Sequence, residues 1–233
     1  MRGLIPGDAI TGGVYLLYLK SSGLSQGSNV KTERVITYID GYNLYYGLRS
    51  ANWRKYYWLN LVLLSKDLLR PYQNLIEVKY FTARLKAPAD RRKRQQTYLE
   101  ALESLPNLKL FFGKYLLSDF ICPKCNQVSQ RPSEKMTDVN ISVELLSDAF
   151  QDQYDTALLI SADSDLIGPI ERVQNLFPNK KIVVAFPPMR RSFDLSRVAP
   201  AFHIRERHLK RNQLPDKVEK LDGFSLLRPQ EWR

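Results

Sequence analysis

Residues 34–43 have the sequence Arg-Val-Ile-Thr-Tyr-Ile-Asp-Gly-Tyr-Asn, and this stretch decides the fold. Residues 35–39 are β-branched or aromatic, which predicts a strand buried in a sheet. Asp40 follows where the chain leaves that strand, and Gly41 allows the backbone to turn tightly. Residues 42–51 then predict a helix, so the stretch reads as the opening of an α/β unit.

The rest of the chain repeats this alternation. Further strands are predicted at residues 75–81, 108–115, 156–161 and 182–186, and further helices at 61–69, 90–105, 137–150 and 166–176. Such alternation predicts an α/β fold, a three-layer sandwich around a mainly parallel sheet of five or six strands. We expect residues 1–33 to be a loosely structured extension, residues 34–203 the domain, and residues 204–233 a basic tail packed on or beside it.

The charge of the chain is large and unevenly placed. Its 35 Lys and Arg against 24 Asp and Glu leave a net charge of +11, which attracts polyanions. Residues 134–171, however, hold nine carboxylates and one cation, Lys135. A basic body around an acidic centre fits a protein that holds phosphate backbones outside and metal ions in a pocket. A surface charged for solubility is the alternative.

Several classes of protein are excluded by composition. A hydrophobic content of 44% with 25% charged residues is that of an ordinary globular protein. No apolar stretch approaches the roughly 20 residues of a membrane helix, so we expect no membrane association.

The two cysteines, Cys122 and Cys125, supply two of the four ligands that zinc requires, with only His203 and His208 as distant candidates for the others. An exposed turn in a reduced, cytoplasmic protein is the favoured interpretation, because no disulfide framework exists. Two such turns paired in a homodimer would also complete a zinc site.

Acidic residues follow two of the predicted strands. Asp40 ends the first, and Asp163 and Asp165 follow the strand at 156–161. Carboxyl ends of parallel strands share one edge of a sheet, and Asp138 begins a helix that can point back to it. Clustered carboxylates repel one another, and Mg²⁺ or Mn²⁺ would neutralise them. The alternative is that these residues only cap turns and helices.

Three segments together resemble one family. The first segment follows strand one, the second opens a helix, and the third follows a later strand: Ile39-Asp40-Gly41-Tyr42-Asn43-Leu44, Lys135-Met136-Thr137-Asp138-Val139-Asn140 and Leu159-Ile160-Ser161-Ala162-Asp163-Ser164-Asp165-Leu166. In this order and spacing they resemble the NYN domain of the PIN-like metal-dependent ribonucleases, and most of all its LabA-like branch. The resemblance covers roughly residues 34–203.

The resemblance implies a Rossmann-like α/β/α sandwich and an endoribonuclease. It implies that single-stranded RNA is hydrolysed by metal-activated water, leaving a 5′-phosphate and a 3′-hydroxyl. The implied ligands of Mg²⁺ or Mn²⁺ are Asp40, Asp138, Asp163 and Asp165. Asn43 would help to position a ligand or phosphate, and Lys135 would contact the scissile phosphate. Glu144 is a weaker candidate, because it lies about 600° round an ideal helix from Asp138.

Basic and aromatic residues outside this cluster are candidates for holding RNA. The basic candidates near the third predicted helix are Arg84, Arg91, Arg92 and Arg94, and residues 205–211 form a second basic stretch. Tyr42 leads a run of aromatic residues on which bases can stack, although core packing accounts for most of them. RNA is preferred to DNA on the resemblance alone.

Other enzyme classes share part of the pattern. Sugar transferases and phosphatases of the haloacid dehalogenase kind also use an Asp-x-Asp sequence such as Asp163-Ser164-Asp165. Neither accounts for Asp40 and Asp138. A catalytically silent RNA-binding or scaffold module on the same fold remains the alternative function.

Overall fold

A computed structural model describes residues 32–121, 123–220 and 222–233. The predicted extension at residues 1–33 therefore lies outside the described residues except for its last two, and so does Cys122. Within this part of the chain, no helix is long and apolar enough to cross a membrane.

The structure contains ten strands and seven α-helices in its described residues. The strands are β1 Glu33–Asp40, β2 Gln73–Thr82, β3 Leu108–Phe112, β4 Lys114–Ile121, β5 Val128–Lys135, β6 Thr156–Ile160, β7 Lys181–Phe186, β8 Ala201–His203, β9 Lys217–Glu219 and β10 Ser225–Leu227. The helices are α1 Gly41–Ser50, α2 Leu61–Leu68, α3 Ala89–Glu103, α4 Thr137–Phe150, α5 Ile167–Leu176, α6 Phe193–Val198 and α7 Glu206–Arg211. Short 3₁₀ helices lie at Arg54–Tyr56, Ser164–Leu166 and Gln230–Trp232.

Six strands form the central sheet in the order β3-β2-β1-β6-β7-β8, and every pairing in it is parallel. The predicted α/β fold with a mainly parallel sheet is therefore confirmed, with six strands as the observed number. The sixth is the three-residue β8, which is too short to leave a periodic pattern in the sequence.

Side-chain alternation along β1 divides the core between the two faces of the sheet. Val35 and Ile39 point to the face covered by α1, α2 and α3, where they pack in a cluster with Leu61. Ile36 and Tyr38 point to the other face and join a cluster that includes Ile141 of α4. Helices on both faces make the three layers that the sequence predicts.

The segment predicted as one strand at residues 108–115 is divided in the structure. β3 ends at Phe112, the N–H of Gly113 donates to the carbonyl of Thr82, and β4 begins at Lys114. β4 pairs antiparallel with β5 in a separate two-stranded sheet. This hairpin was not predicted, because β5, with the sequence Val-Ser-Gln-Arg-Pro-Ser-Glu-Lys, lacks the apolar run of a buried strand.

Residues 204–233 are folded and contribute to the core. Leu209 of α7 is fully buried in the cluster beneath α1, α2 and α3. Trp58 is buried against Leu214, and its indole N–H donates to the carbonyl of Pro215 at 2.8 Å. β9 and β10 form an antiparallel pair beyond this point. Residues 204–233 thus pack against the core.

Candidate metal centre

The centre lies where β1 and β6 end side by side. These two strands are parallel neighbours, with Ile39 beside Ile160. From β1 the chain continues to β2 on one side, whereas β6 continues to β7 on the other. This reversal leaves a crevice at the carboxyl edge of the sheet, the usual position for a ligand in an open α/β fold.

Asp40 is the most constrained residue of the crevice. It caps α1, with its Oδ1 accepting from the backbone N–H groups of Tyr42 and Asn43 at 3.0 Å. Its Oδ2 accepts from the Asn43 side-chain amide at 2.5 Å and from the Ser161 hydroxyl at 2.9 Å. The residue is only 2% exposed. Neutral donors therefore fix this carboxylate in place, but they do not neutralise its charge.

The next residue, Gly41, has to be a glycine for steric reasons. A Cβ atom at this position would lie 2.6 Å from the carbonyl oxygen of Phe81 and 2.8 Å from the ring of Tyr80. The start of α1 therefore lies directly against β2. This close approach positions the Asp40 cap at the edge of the sheet.

Asp163 reaches the same crevice from β6. Its N–H donates to the Ser161 hydroxyl at 3.1 Å, and its Oδ1 accepts from the N–H of Asp165 at 3.0 Å. Ser161 is fully buried and donates its own proton to Asp40. A single hydroxyl thus connects the two aspartates from different strands.

Asp138 completes the group from α4. Asp138 is the second residue of that helix, which follows Met136 with a left-handed φ of 81°. Each of Asp40, Asp138 and Asp163 offers a carboxylate oxygen within 4.8 Å of the other two. We call these three residues the aspartate cluster. Residues separated by more than 120 positions in the sequence are adjacent here because β1 and β6 pair and the start of α4 lies at their ends.

The electrostatics of the aspartate cluster favour a cation. Burial raises the pKa of Asp40, and the charge of Asp163 raises it further, while hydrogen bonds from Asn43 and Ser161 offset part of the effect. A set of carboxylate oxygens is the donor chemistry of Mg²⁺ and Mn²⁺. The three residues therefore fit a hard divalent ion.

The other residues predicted for the metal and its surroundings are distributed differently. Asp165 is exposed and lies outside the group of three. Asn43 contacts the centre through Asp40, and its Oδ1 lies 3.4 Å from the N–H of Ala162. The side chain of Lys135 is outside the described residues. Glu144 pairs with Lys79 at 2.6 Å rather than joining the aspartates.

The predicted RNA-binding residues lie around α3 and α1. Tyr42 is half-buried directly beside Asp40. Arg91 and Arg92 are exposed on the first turns of α3, whereas Arg94 bridges Asp90 and Glu231 at 2.9 and 2.7 Å. The guanidinium of Arg84 lies 4.3 Å above the ring of Phe112.

Two further residues at the carboxyl edge of the sheet were not predicted from the sequence. Ser161 lies in the third family-like segment without a predicted role, yet it bonds to both Asp40 and Asp163. Arg190 lies in the loop after β7, its guanidinium is 5.9 Å from the ring of Tyr46, and its Nε is buried without a hydrogen-bond partner among the described residues. The position of Arg190 in the sequence could have identified it, because residues 187–191 follow a predicted parallel strand at the same edge of the sheet.

Similarity to known proteins is consistent with this architecture. The model of the NYN domain family matches residues 34–206. A protein of unknown function, VPA0982, from Vibrio parahaemolyticus has a crystal structure that is similar at a TM-score of 0.50 and 19% identity, over 75% of this chain and 94% of that one. This second likeness concerns the fold alone.

One curated protein is similar in sequence. It is the 6-hydroxy-3-succinoylpyridine 3-monooxygenase HspA of Pseudomonas putida, which is 26% identical over 175 residues. The match covers 60% of this chain and 55% of that protein, so the chain spans about half the length of this relative.

The family match covers most of the chain, including β1, α4 and β6, which carry the aspartate cluster. The chain therefore belongs to the NYN domain family, within the PIN-like ribonuclease superfamily.

Proposed function

We propose that this protein is a Mg²⁺- or Mn²⁺-dependent endoribonuclease acting on single-stranded RNA. The observation that carries the proposal is the meeting of Asp40, Asp138 and Asp163 within 4.8 Å at the carboxyl edge of the sheet. The NYN family is generally nuclease-like, which supports a hydrolase. The expected products carry a 5′-phosphate and a 3′-hydroxyl.

The three aspartates would hold the ion, which when bound supplies an activated water and positive charge opposite the phosphate. The protein itself holds the ligand residues in position. The side chains of Asn43 and Ser161 both donate to Oδ2 of Asp40, and the Ser161 hydroxyl also accepts from the backbone N–H of Asp163. Because buried neutral donors hold these groups, the centre is preorganised before substrate arrives.

RNA as the substrate is supported by charge and by the surroundings of the centre. The net charge of +11 attracts a polyanion, and phosphate contacts of this kind are independent of sequence. Arg91 and Arg92 are exposed on α3, and Arg190 lies in the loop after β7. These arginines follow β2 and β7 at the carboxyl edge of the sheet, where they would bind the RNA backbone.

A second candidate is a reaction on a small aromatic heterocycle. The observation in its favour is the 26% identity with a monooxygenase whose name gives a hydroxylated pyridine as substrate. Oxygenation needs O₂ and a reductant, neither of which hydrolysis needs. Consumption of O₂ in the presence of 6-hydroxy-3-succinoylpyridine and a reductant would therefore distinguish it from the nuclease.

The deciding experiment is cleavage of an end-labelled single-stranded RNA with Mn²⁺ or Mg²⁺, alongside EDTA and the variant Asp163→Asn. We expect cleavage to require the ion and to be lost in the variant. Cleavage that survives the substitution would reject the assigned centre. Binding of RNA without cleavage under all ionic conditions would instead indicate a silent RNA-binding module.

A matched control is available at the opposite edge of the sheet. Asp152 is 72% exposed and pairs with Arg34 at the start of β1 and with Lys180. The substitution Asp152→Asn makes the same chemical change far from the carboxyl ends of the strands. We expect its cleavage rate to equal that of the wild type, because an exposed ion pair contributes only about 0–1 kcal/mol to stability.

A further inference from the structure

A cavity of about 420 Å³ opens next to the metal centre. Its walls come from α1, β2, α3 and residues 228–233, which we call the C-terminal segment. Gly41 and Tyr42 line it, and they are the two residues that follow Asp40. The cavity therefore begins one residue along the chain from Asp40, although none of the three aspartates lines it, and its volume lies within the usual range of roughly 300–1,000 Å³ for small-molecule sites.

Aromatic rings make up much of the cavity wall. The ring centroids of Tyr45 and Tyr57 are 5.2 Å apart, and Tyr57 lies 5.7 Å from Trp232. Trp232 in turn lies 6.0 Å from Tyr98 on α3. Tyr45 is 39% exposed, so part of this wall faces the opening. These ring pairs are tilted or edge to face, with interplanar angles of 48°, 80° and 85°, so the wall offers separate ring faces and edges against which a flat aromatic ligand can pack.

The cavity also carries positive charge. Arg49, Arg54 and Arg91 line it, and none of them has a carboxylate partner within 4.0 Å among the described residues. The acids in the wall, Asp90 and Glu231, are both paired with Arg94. The lining thus has an excess of unpaired guanidinium groups, which suits an anionic ligand.

Two of these arginines lie close to the aromatic wall. Burial raises the pKa of Tyr57 to about 12, while the charges of Arg54 and Arg49 act on it in the opposite direction. Arg49, Arg54 and Tyr57 line the same cavity, so one ligand in it can meet both the ring and the guanidinium groups. The cavity therefore combines stacking surface and cationic groups in one place.

Trp232 is a fixed part of the wall. Arg228, whose side chain is only 14% exposed, donates to the carbonyl oxygen of Trp232 at 2.5 Å and also to that of Lys55. Arg94 holds Glu231 at 2.7 Å. These contacts attach the C-terminal segment to α3 and to the 3₁₀ helix after α1, so the indole is held at the cavity by the fold.

We propose that this cavity binds one base of the RNA, with the phosphate of the same nucleotide directed towards the aspartate cluster and the arginines. A nucleotide is a flat aromatic ring joined to an anion. The ring can pack against the aromatic wall, and the anion can pair with the arginines. This inference rests on the proposed nuclease function for the identity of the ligand. It makes the C-terminal segment, and Trp232 in particular, a part of the substrate site.

A substituted pyridine with a carboxylate shares this chemistry, because it is also a flat ring joined to an anion. The monooxygenase relative acts, by its name, on such a molecule. The test therefore has to compare nucleotides with 6-hydroxy-3-succinoylpyridine directly. It also has to compare nucleotides with a phosphate that carries no base.

The experiment is isothermal titration calorimetry of the full chain in EDTA. The probes are the four nucleoside 5′-monophosphates, ribose 5-phosphate and 6-hydroxy-3-succinoylpyridine. We expect at least one monophosphate to bind about tenfold or more tightly than ribose 5-phosphate, the effect of one stacked base. Equal affinities would overturn the proposal, and tighter binding of the pyridine than of all four nucleotides would assign the cavity to that class of ligand.

Substitutions in the cavity wall test where the base binds. Trp232→Ala is expected to weaken nucleotide binding about tenfold without changing ribose 5-phosphate binding. Because Trp232 also packs against Trp58, the independent variant Tyr45→Ala, at an exposed ring, is measured as well. Phe224→Ala is the control, since Phe224 is 61% exposed and does not line the cavity. Unchanged nucleotide binding in both wall variants would overturn the proposal.

RNA cleavage separates this inference from the proposed function. Metal-dependent cleavage by a protein that binds monophosphates no better than ribose 5-phosphate would overturn the base site and leave the nuclease in place. Base-dependent binding without cleavage would support the base site and overturn the nuclease.

Discussion

Two groups of three acidic residues occupy this fold, and they differ in what neutralises them. The aspartate cluster is surrounded at Asp40 by neutral donors. The second group is Glu77, Glu144 and Asp148 around Lys79, which we call the lysine cluster. The Lys79 ammonium lies 2.6 Å from both Glu144 and Asp148, and the Tyr38 hydroxyl donates to Asp148 at 2.5 Å.

Both clusters use the same helix. α4 supplies Asp138 to the first from its opening turn, and Glu144 and Asp148 to the second from later turns. Similar acidic side chains therefore serve different purposes according to the cation that the fold supplies. Where a lysine is built in, the group stabilises the protein, and at Asp40, whose described donors are all neutral, an ion from solution is expected.

The largest effect should come from removing the built-in cation. In Lys79→Met, Asp148 and Glu144 would lose their partner in a site where Lys79 is 6% and Asp148 10% exposed. We expect a loss of about 3–5 kcal/mol in the free energy of unfolding, measured by urea denaturation. Lys181→Met, at an ion pair whose lysine is 68% exposed, is the control and should cost less than about 1 kcal/mol. A similar small loss in both variants would contradict a buried stabilising role for Lys79.

The next effect is on activity and should appear without a loss of stability. Asp40→Asn keeps an N-cap for α1, since Asn and Asp cap equally well, but removes a charge from the aspartate cluster. We expect RNA cleavage to fall by more than about 100-fold, because even indirect partners of metal ligands cost about 10–100-fold. The thermal midpoint should change little, because the loss of the acceptor for Asn43 and Ser161 is offset by the removal of a charge that burial disfavours. A large drop in the midpoint would show that Asp40 is structural.

Metal binding itself should separate the two clusters. For the wild type we expect Mn²⁺ at ten times its dissociation constant to stabilise the fold by about 1.4 kcal/mol relative to EDTA. Differential scanning calorimetry would measure this as a rise in the thermal midpoint. The rise should be lost in Asp40→Asn and retained in Lys79→Met. Its retention in Asp40→Asn would place the ion elsewhere.

The smallest effect concerns high pH. Burial lowers the pKa of Lys79, but hydrogen bonds from the ammonium to Asp148 and Glu144 outweigh it, and the pKa is raised above its ordinary value of 10.5. The stabilisation is therefore complete below about pH 10.5 and is lost as the pH rises through the raised pKa. We expect the stability difference between wild type and Lys79→Met to be constant from pH 7 to 9 and to narrow by less than about 1 kcal/mol by pH 11. Urea denaturation at each pH measures it, and a difference that widened with pH would contradict the ion pair.

Much of the fold was predictable because its strands are buried on both faces. Such strands, like β1 and β6, read as continuous apolar runs. The β4–β5 hairpin was not predictable from the same signal, since its second arm is polar and contains a proline. The boundary at Gly113 was also missed, because apolar residues continue on both sides of it.

The centre was predictable in part. Asp40, Asp138 and Asp163 each follow or begin an element in a way that local pattern reveals. The different position of Asp165, exposed and outside the group of three, depends on the direction of the chain after β6. The pairing of Glu144 with Lys79 depends on how α4 packs across β2.

The sequence by itself determined the parallel α/β architecture and the places where acidic residues leave the sheet. Both follow from short-range patterns of apolar and polar residues, which the chain carries in any conformation. Only the tertiary structure decided which acids face a lysine, which face one another, and that Trp232 closes a cavity beside Asp40. Those outcomes depend on contacts between residues distant in the chain. The number of residues between two positions does not determine how far apart they lie in space.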